Sequence, residues 1–162
     1  MALVDYFLKI EGIQGESMDA VHKNEIQVDS FSWGETQQGT AAVGGGAGAG
    51  KVHMQDLHIV TGISKASVSL MLACATGQHI KKAELFCRKA GGKQEEFLKV
   101  TMTDLLISSY QTGGSGHSDA RPTDQVSINF AKIEFEYKEQ KPDGTLGGST
   151  KAGWDLKANQ KV

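Results

Sequence analysis

The chain has little proline, little cysteine and no marked excess of charge of either sign. Among its 162 residues are two prolines and two cysteines, and the formal net charge is -2 at pH 7. A near-neutral chain offers no basic field to nucleic acid or to an anionic membrane surface, so neither is an expected partner. No run approaches the roughly 18 apolar residues of a spanning helix. We therefore expect no membrane insertion.

The two cysteines, Cys74 and Cys87, are too few for a disulfide framework, and they form no C-x-x-C pair. Cysteine packs as a small apolar residue, so each is predicted to be a buried free thiol. His79 lies between them in the sequence, but zinc sites favour tightly spaced ligand pairs. These three residues therefore provide weak support for a metal site or a thiol nucleophile.

The first residues do not have the composition of a secretory leader. The segment from Met1 to Tyr6 lacks a basic region, and Asp5 stands where a leader would be apolar. We therefore expect synthesis in the cytosol, followed by any export through a route that requires no cleaved signal peptide.

Glycine, by contrast, is abundant, with 20 residues in the chain. The run from Gly44 to Gly50, followed by Lys51, fits the first seven positions of the phosphate-binding loop G-x-x-x-x-G-K-[ST]. The eighth position holds Val52 instead of a hydroxyl residue, and a strand-like sequence follows where a phosphate loop requires a helix. We interpret the run as a loop between two strands. A nucleotide-dependent enzyme remains only a third hypothesis.

Alternation of apolar and polar residues predicts that most of the chain forms strands. The predicted strands cover residues 3–10, 26–33, 52–60, 80–89, 97–103, 105–110, 126–138 and 154–157. In the longest of them the apolar positions change parity near Ala131, which requires a bulge or a sharp bend. Bends of this kind allow a sheet to close into a barrel.

One helix is predicted, at about 64–76. Ser64 is suited to the N-cap, and Gly77 to the left-handed position that follows a helix end. An apolar stripe with i, i+3, i+4, i+7 spacing is expected to pack on the core. Its members are Val68, Met71, Leu72 and Ala75.

These elements predict a mainly β (α+β) fold. We expect residues 1–162 to form a single domain, a compact closed β-barrel of two packed antiparallel sheets with one flanking helix and a Gly-rich loop at about 38–50. The sequence contains no recognisable catalytic set. G-x-S-x-G fails around Ser17 and Ser115, and the five histidines never reach H-E-x-x-H spacing. We therefore predict no enzyme, no cofactor and no metal.

Several short motifs follow one another along the whole chain. They are Gly15-Glu16-Ser17, His22, Glu25-Ile26, Phe31-Ser32-Trp33-Gly34, Gly50-Lys51-Val52, Gln55-Asp56-Leu57, residues 70–75 and 88–92, Ser108-Ser109, residues 112–116 and 126–131, and Gly153-Trp154-Asp155-Leu156-Lys157-Ala158-Asn159. In order and spacing they resemble the haemolysin-coregulated protein (Hcp) family, the tube subunit of the bacterial type VI secretion system.

The resemblance implies an assembly as well as a fold. Six copies would close into a ring, a homo-hexamer, and rings would stack into a tube inside a contractile sheath beneath a VgrG-type spike. Contraction would expel the tube, which carries or chaperones small effector proteins in its lumen. The protein would thereby be secreted, outside the cell or into a target cell. The alternative is a monomeric β-barrel module that binds a small ligand at the barrel mouth.

Two sets of residues are candidates for roles in such an assembly. The Gly-rich loop is costly to order, which suits a ring-stacking contact that forms only in the tube. Its candidate residues are Gly44, Gly45, Gly46, Gly48, Gly50 and Lys51. Ser30 and Ser32 are candidates for the lumen, because alternation places them opposite Phe31 and Trp33. Plain exposure to solvent accounts for the same alternation. Exposed strand edges are the expected material for ring closure.

Overall fold

The computed structural model describes residues 3–39, 51–91 and 94–162. These ranges contain ten strands and one helix. In chain order they are β1 (Val4–Ile10), β2 (Ile26–Ser32), β3 (Glu35–Thr36), β4 (His53–Met54), β5 (Leu57–Gly62), α1 (Lys65–Thr76), β6 (Ile80–Lys89), β7 (Glu96–Gly113), β8 (Thr123–Gln140), β9 (Leu146–Asp155) and β10 (Gln160–Lys161).

Six of the strands close into a barrel. They pair in the order β8, β5, β2, β1, β6 and β7, and β7 pairs again with β8 to close the sheet. All of these pairings are antiparallel. With α1 at its side, the barrel confirms the predicted fold class.

β8 is shared between the barrel and an arm that extends from it. One side of β8 pairs with β7 along most of its length. On the other side, residues 123–128 pair with β5, and residues 132–140 pair with β9. β10 then adds to the end of β9, and β3 pairs separately with β4. The arm is therefore a sheet whose outermost long strand is β9.

The change of partner coincides with the predicted inversion of the buried face. In β8 the buried side chains change parity between Phe130 and Ile133, and in β7 they do so between Met102 and Leu105. The pairing register stays constant across this region, so no extra residue is inserted. Asp104, at the centre of the bend, adopts a left-handed φ of 53°. The inversion is thus a bend shared by two paired strands.

Several predicted strand boundaries differ from the structure, and the short strands β3 and β10 were not predicted. The strand expected at 52–60 is interrupted between β4 and β5, where Asp56 accepts hydrogen bonds from Ser108 Oγ (2.6 Å) and Asn129 Nδ2 (2.8 Å). The strands expected at 97–103 and 105–110 are continuous in β7. The last predicted strand begins earlier, as β9. Side-chain bonds to distant strands caused the first of these differences, and alternation cannot reveal such bonds.

The helix begins and ends as predicted, but its buried face was predicted wrongly. Ser64 Oγ accepts a hydrogen bond from the Ala66 N–H, and Gly77 adopts a φ of 64°. The residues that face the core are Ala66, Ser67, Leu70 and Ala73. The predicted stripe is exposed, with values of 69% for Val68, 49% for Met71 and 57% for Leu72.

A buried hydrogen bond accounts for this orientation. Ser67 Oγ donates to Asp124 Oδ2, and Tyr110 donates to the other oxygen of the same carboxylate at 3.1 Å. Asp124 is fully buried on β8, so it needs these donors to offset its desolvation. The helix therefore turns its small residues and Leu70 inward, and the larger apolar side chains remain outside.

Candidate interaction surfaces

The segment between β1 and β2 is a loop with a tightly bonded base. The Gly15 N–H donates to the Asn24 carbonyl (2.8 Å), and the Ser17 N–H donates to the Glu25 carbonyl (3.1 Å). A Cβ on Gly15 would lie 2.5 Å from the Glu25 carbonyl oxygen, so only glycine allows this approach. Backbone geometry therefore explains Gly15, while the Glu16 and Ser17 side chains accept hydrogen bonds from the N–H groups of Lys65 and Asp19.

Arg88 on β6 connects this loop to the barrel. Its side chain is charged and yet buried, with only 3% of the residue exposed. Its Nη1 donates to Asp19 Oδ1 at 3.0 Å, and its Nη2 pairs with the second Asp19 oxygen. Nη2 also lies 3.6 Å from Asp5, and the guanidinium covers the ring of Phe7 at 4.7 Å. The hydrogen bond from Arg88 lowers the pKa of Asp19 to about 2. The buried charge is thus compensated within the chain.

His22 lies beside this pair and joins the loop to two strands. Its ring stacks on Phe7 at 4.6 Å. Nδ1 is 3.0 Å from the carboxylate of Glu25, and Nε2 is 2.6 Å from Glu96. Both ring nitrogens thus lie within hydrogen-bond distance of a carboxylate oxygen. Sequence analysis missed this role, since Glu96 lies 74 residues away and no local spacing links the two.

These ionisable residues form an internal cluster in which most polar groups bond with one another. We call Asp19, His22, Glu25, Arg88 and Glu96 the loop cluster. Its bonds connect β6, β7 and the loop between β1 and β2, although Arg88 Nε has no hydrogen-bond partner among the described residues. The arrangement is suited to holding the loop in place, and it has the composition of a structural network.

An open groove of about 750 Å³ lies between the β3–β4 pair and the arm. We call it the aromatic groove. Its lining residues are Trp33, Glu35, Thr36, Gln37, Val52, Met54, Ile133, Phe135, Ala152, Gly153 and Trp154. The Trp33 and Phe135 rings are 5.3 Å apart. A Cβ on Gly153 would lie 2.9 Å from the Ile133 carbonyl oxygen, so only glycine allows β9 to approach β8 this closely at the base of the groove. Mostly apolar walls suit the apolar side chains of another chain.

β9 presents a largely open edge on the side that faces away from β8. β10 covers only Trp154 and Asp155 there, and the Val162 N–H donates to the Gly153 carbonyl at 3.1 Å. In the part of the chain that the structure describes, residues 146–152 have no strand on that side. Alternate backbone N–H and C=O groups of this stretch are therefore free to pair with an added strand.

The two serines proposed for the lumen, Ser30 and Ser32, lie on β2. Ser30 and Ser32 are both exposed on β2, while Phe31 packs against the core. A register shift between Val28 and Ser30 interrupts the pairing of β2 with β5. The alternation predicted for the two serines therefore agrees with their exposure.

Most of the predicted stacking loop lies outside the described residues, namely Gly44, Gly45, Gly46, Gly48 and Gly50. Lys51 is exposed and precedes β4 and β5. The chain therefore continues into strands at the point where a phosphate-binding loop requires a helix.

The cysteines are free thiols. Cys87 is buried, and burial raises its pKa to about 12, whereas Cys74 is only half-buried. Within residues 3–39, 51–91 and 94–162, no group of three His, Cys, Asp or Glu side chains is placed to hold a metal ion. Over the same ranges, no helix has the length and apolar character needed to cross a bilayer.

Comparison with known proteins gives a consistent result. The sequence model of the family described as "Type VI secretion system effector, Hcp" matches residues 7–137. Protein hcp1 of Pseudomonas aeruginosa is 47% identical over 158 residues, which cover 96% of this chain and 97% of that protein.

Solved structures match over nearly the full length as well. Hcp1 from Salmonella typhimurium is 37% identical, with a TM-score of 0.82, and the match covers 99% of this chain and 100% of that one. A structure described as a type six secretion system protein is 33% identical, with a TM-score of 0.92 and the same coverage of both chains.

Proposed function

The chain belongs to the Hcp family of the type VI secretion system, and we propose that it is the structural subunit of that system's inner tube. Members of the family are secreted structural proteins, not enzymes, and multimeric ring assembly is typical of them. Our proposal adds that six copies form each ring and that rings stack into a tube. Sheath contraction then expels the tube with small effector proteins in its lumen.

The open edge of β9 is the observation that best supports a ring. A closed ring requires head-to-tail contacts in which two different patches of each subunit meet. Residues 146–152 offer backbone donors and acceptors over about 24 Å, at about 3.4 Å per residue. A strand from the next subunit can add to this edge, and main-chain bonds would then set the direction of the ring.

Ring stacking and the lumen are assigned to the residues proposed from the sequence. The loop of Gly44, Gly45, Gly46, Gly48, Gly50 and Lys51 contacts the next ring, while Ser30 and Ser32 face the cargo. The exposure of both serines and of Lys51 is compatible with these roles. The further partners are a VgrG-type spike and a contractile sheath. We also propose that residues 1–162 form one Hcp-like domain.

Mass and shape in solution test this function directly. Light scattering after size exclusion is expected to give six times the 17.3 kDa subunit mass, and negative-stain images should show six-fold rings. A protein that stays monomeric at every concentration and salt condition would contradict the proposal.

A shortened loop tests the assignment of stacking separately. Deleting residues 44–48 is expected to reduce tube formation and leave single rings, since the loop has no proposed role within a ring. The control is a deletion of Gly116 and His117, in the exposed segment that follows β7. Rings that fall apart after the first deletion would show that the loop belongs to the lateral contact.

The aromatic groove gives some support to a monomeric ligand-binding module, because its lining is mainly apolar. The groove lies outside the barrel, whose interior is filled by aliphatic side chains such as Leu8, Ile59 and Leu85. A ligand held in this groove would bind at the arm and not inside the barrel. A stable monomer that retains a small molecule through purification would favour this alternative.

A further inference from the structure

The exposed face of α1 is unusual for the surface of a barrel protein. Val68, Met71, Leu72 and Ala75 are all exposed and lie on one side of the helix. We call them the helix ridge. A helix that faces water normally has charged residues on its outer side. Lys65, in the first turn, is the only charged residue of α1. The outer face therefore has the composition of a surface that another protein covers.

The helix ridge and the aromatic groove are separate surfaces of one subunit. Ser67 anchors α1 to Asp124 near the start of β8, whereas Ile133 and Phe135 of the same strand line the groove. Val68, Met71 and Leu72 are exposed, and no ridge residue is among those that line the groove. Any contact between the two surfaces therefore joins different copies of the chain.

The two surfaces are complementary in shape and in polarity. The ridge is convex and uncharged, and the groove is concave with tryptophan, methionine, isoleucine and phenylalanine side chains on most of its wall and Glu35, Thr36 and Gln37 on the rest. The groove also borders β9, since Ala152, Gly153 and Trp154 form part of its lining. It is therefore continuous with the open edge to which ring closure is assigned.

We propose that the helix ridge of each subunit seats in the aromatic groove of a second copy of this chain, as the apolar part of the ring contact. The inference rests on the proposed ring function and names the surfaces that meet in it. A stable interface buries about 800 Å² per partner, more than four side chains supply. Pairing at the β9 edge contributes the remainder of the contact.

A charge on the ridge tests the contact. Met71→Glu is expected to raise the concentration at which rings form by about tenfold or more, because desolvating a carboxylate in an apolar groove is unfavourable. The matched control is Ser69→Glu, which places the same charge on an exposed position of α1 outside the ridge. Circular dichroism of both variants verifies folding, and Met71→Gln replaces Met71→Glu if the latter fails to fold.

Cross-linking identifies the partner surface. In a Cys74→Ser background, Met71→Cys on the ridge and Gln37→Cys beside the groove are placed on separate chains of different mass. A short thiol cross-linker is expected to join unlike chains only. Cross-links within the Met71→Cys sample alone would overturn the assignment, because they would indicate a ridge-to-ridge contact.

The remaining outcomes separate this inference from the proposed function. Intact rings from Met71→Glu, without cross-links in the mixture, would overturn the ridge contact and leave the ring itself standing. The ridge contact would also be overturned if Met71→Glu formed normal rings but lost only ring stacking or only effector binding. Either result would show that the ridge contacts a different partner. A parent protein that forms no rings would overturn the proposed function, and this inference with it.

Discussion

Charged side chains are usually exposed and apolar ones buried, but near the two ends of strand β6 each half of this rule is broken. At one end Arg88 brings charge into the interior, where it bonds with Asp19. At the other end, about 27 Å away along the strand, Ile80 follows a helix that leaves Met71 and Leu72 exposed. The charged end is held by ion pairs within the subunit, whereas the large apolar side chains near the other end stay exposed among the described residues. The first is therefore suited to folding and the second to assembly.

The largest effect is expected from breaking the charged end. Arg88→Met leaves Asp19 and Asp5 without their cation, and removing one partner of a buried pair costs about 3–5 kcal/mol. Urea unfolding followed by circular dichroism measures this loss. Lys157→Met is the control, because its pair with Asp104 is exposed and worth less than about 1 kcal/mol. Equal losses in the two variants would contradict a special role for the loop cluster.

The two faces of α1 give the next largest difference. Leu70→Ala removes a fully buried side chain and should cost about 2–5 kcal/mol at any protein concentration. Leu72→Ala should change the stability of the dissociated subunit by no more than about 0.5 kcal/mol, since this side chain is exposed. Thermal melts over a range of concentrations distinguish the two. A large, concentration-independent loss for Leu72→Ala would show that the ridge packs within the subunit.

The smallest effect is a dependence of stability on pH. The pKa of Asp19 lies at about 2 in the folded protein, below its ordinary value of 3.8. As the pH falls, Asp19 is therefore protonated in the unfolded chain before it is protonated in the folded protein. The contribution of Asp19 is fully present above about pH 4 and is lost as the pH falls towards 2. Asp19→Asn should be less stable at pH 7 and should lose less stability between pH 4 and 2. An unchanged acid profile in urea titrations would contradict this assignment.

Local signals in the sequence predicted several elements correctly. The ends of the helix follow from Ser64 and Gly77, whose backbone roles depend only on neighbouring residues. β6 has the predicted bounds of 80–89, and the inversion near Ala131 is visible as a change of parity. The family was also recognisable from short motifs in order.

The interaction surfaces could not be predicted in the same way. The aromatic groove joins Trp33 and Met54 to Phe135, and the loop cluster joins His22 to Glu96. No periodicity connects positions so far apart in the chain. Ser30 and Ser32 are exposed, but Asp29 is exposed too, because the register shift between Val28 and Ser30 interrupts strict alternation in β2.

The sequence by itself determined the ends of the helix and the bounds of β6, because these depend on alternation and on hydrogen bonds between near neighbours. Only the tertiary structure decided which side of the helix faces inward. The stripe of Val68, Met71 and Leu72 satisfies helical periodicity, but the bond of Ser67 to Asp124, 57 residues away, turns the opposite face to the core. Periodicity shows that a helix has an apolar side, whereas a buried carboxylate on a distant strand determined which side the barrel receives.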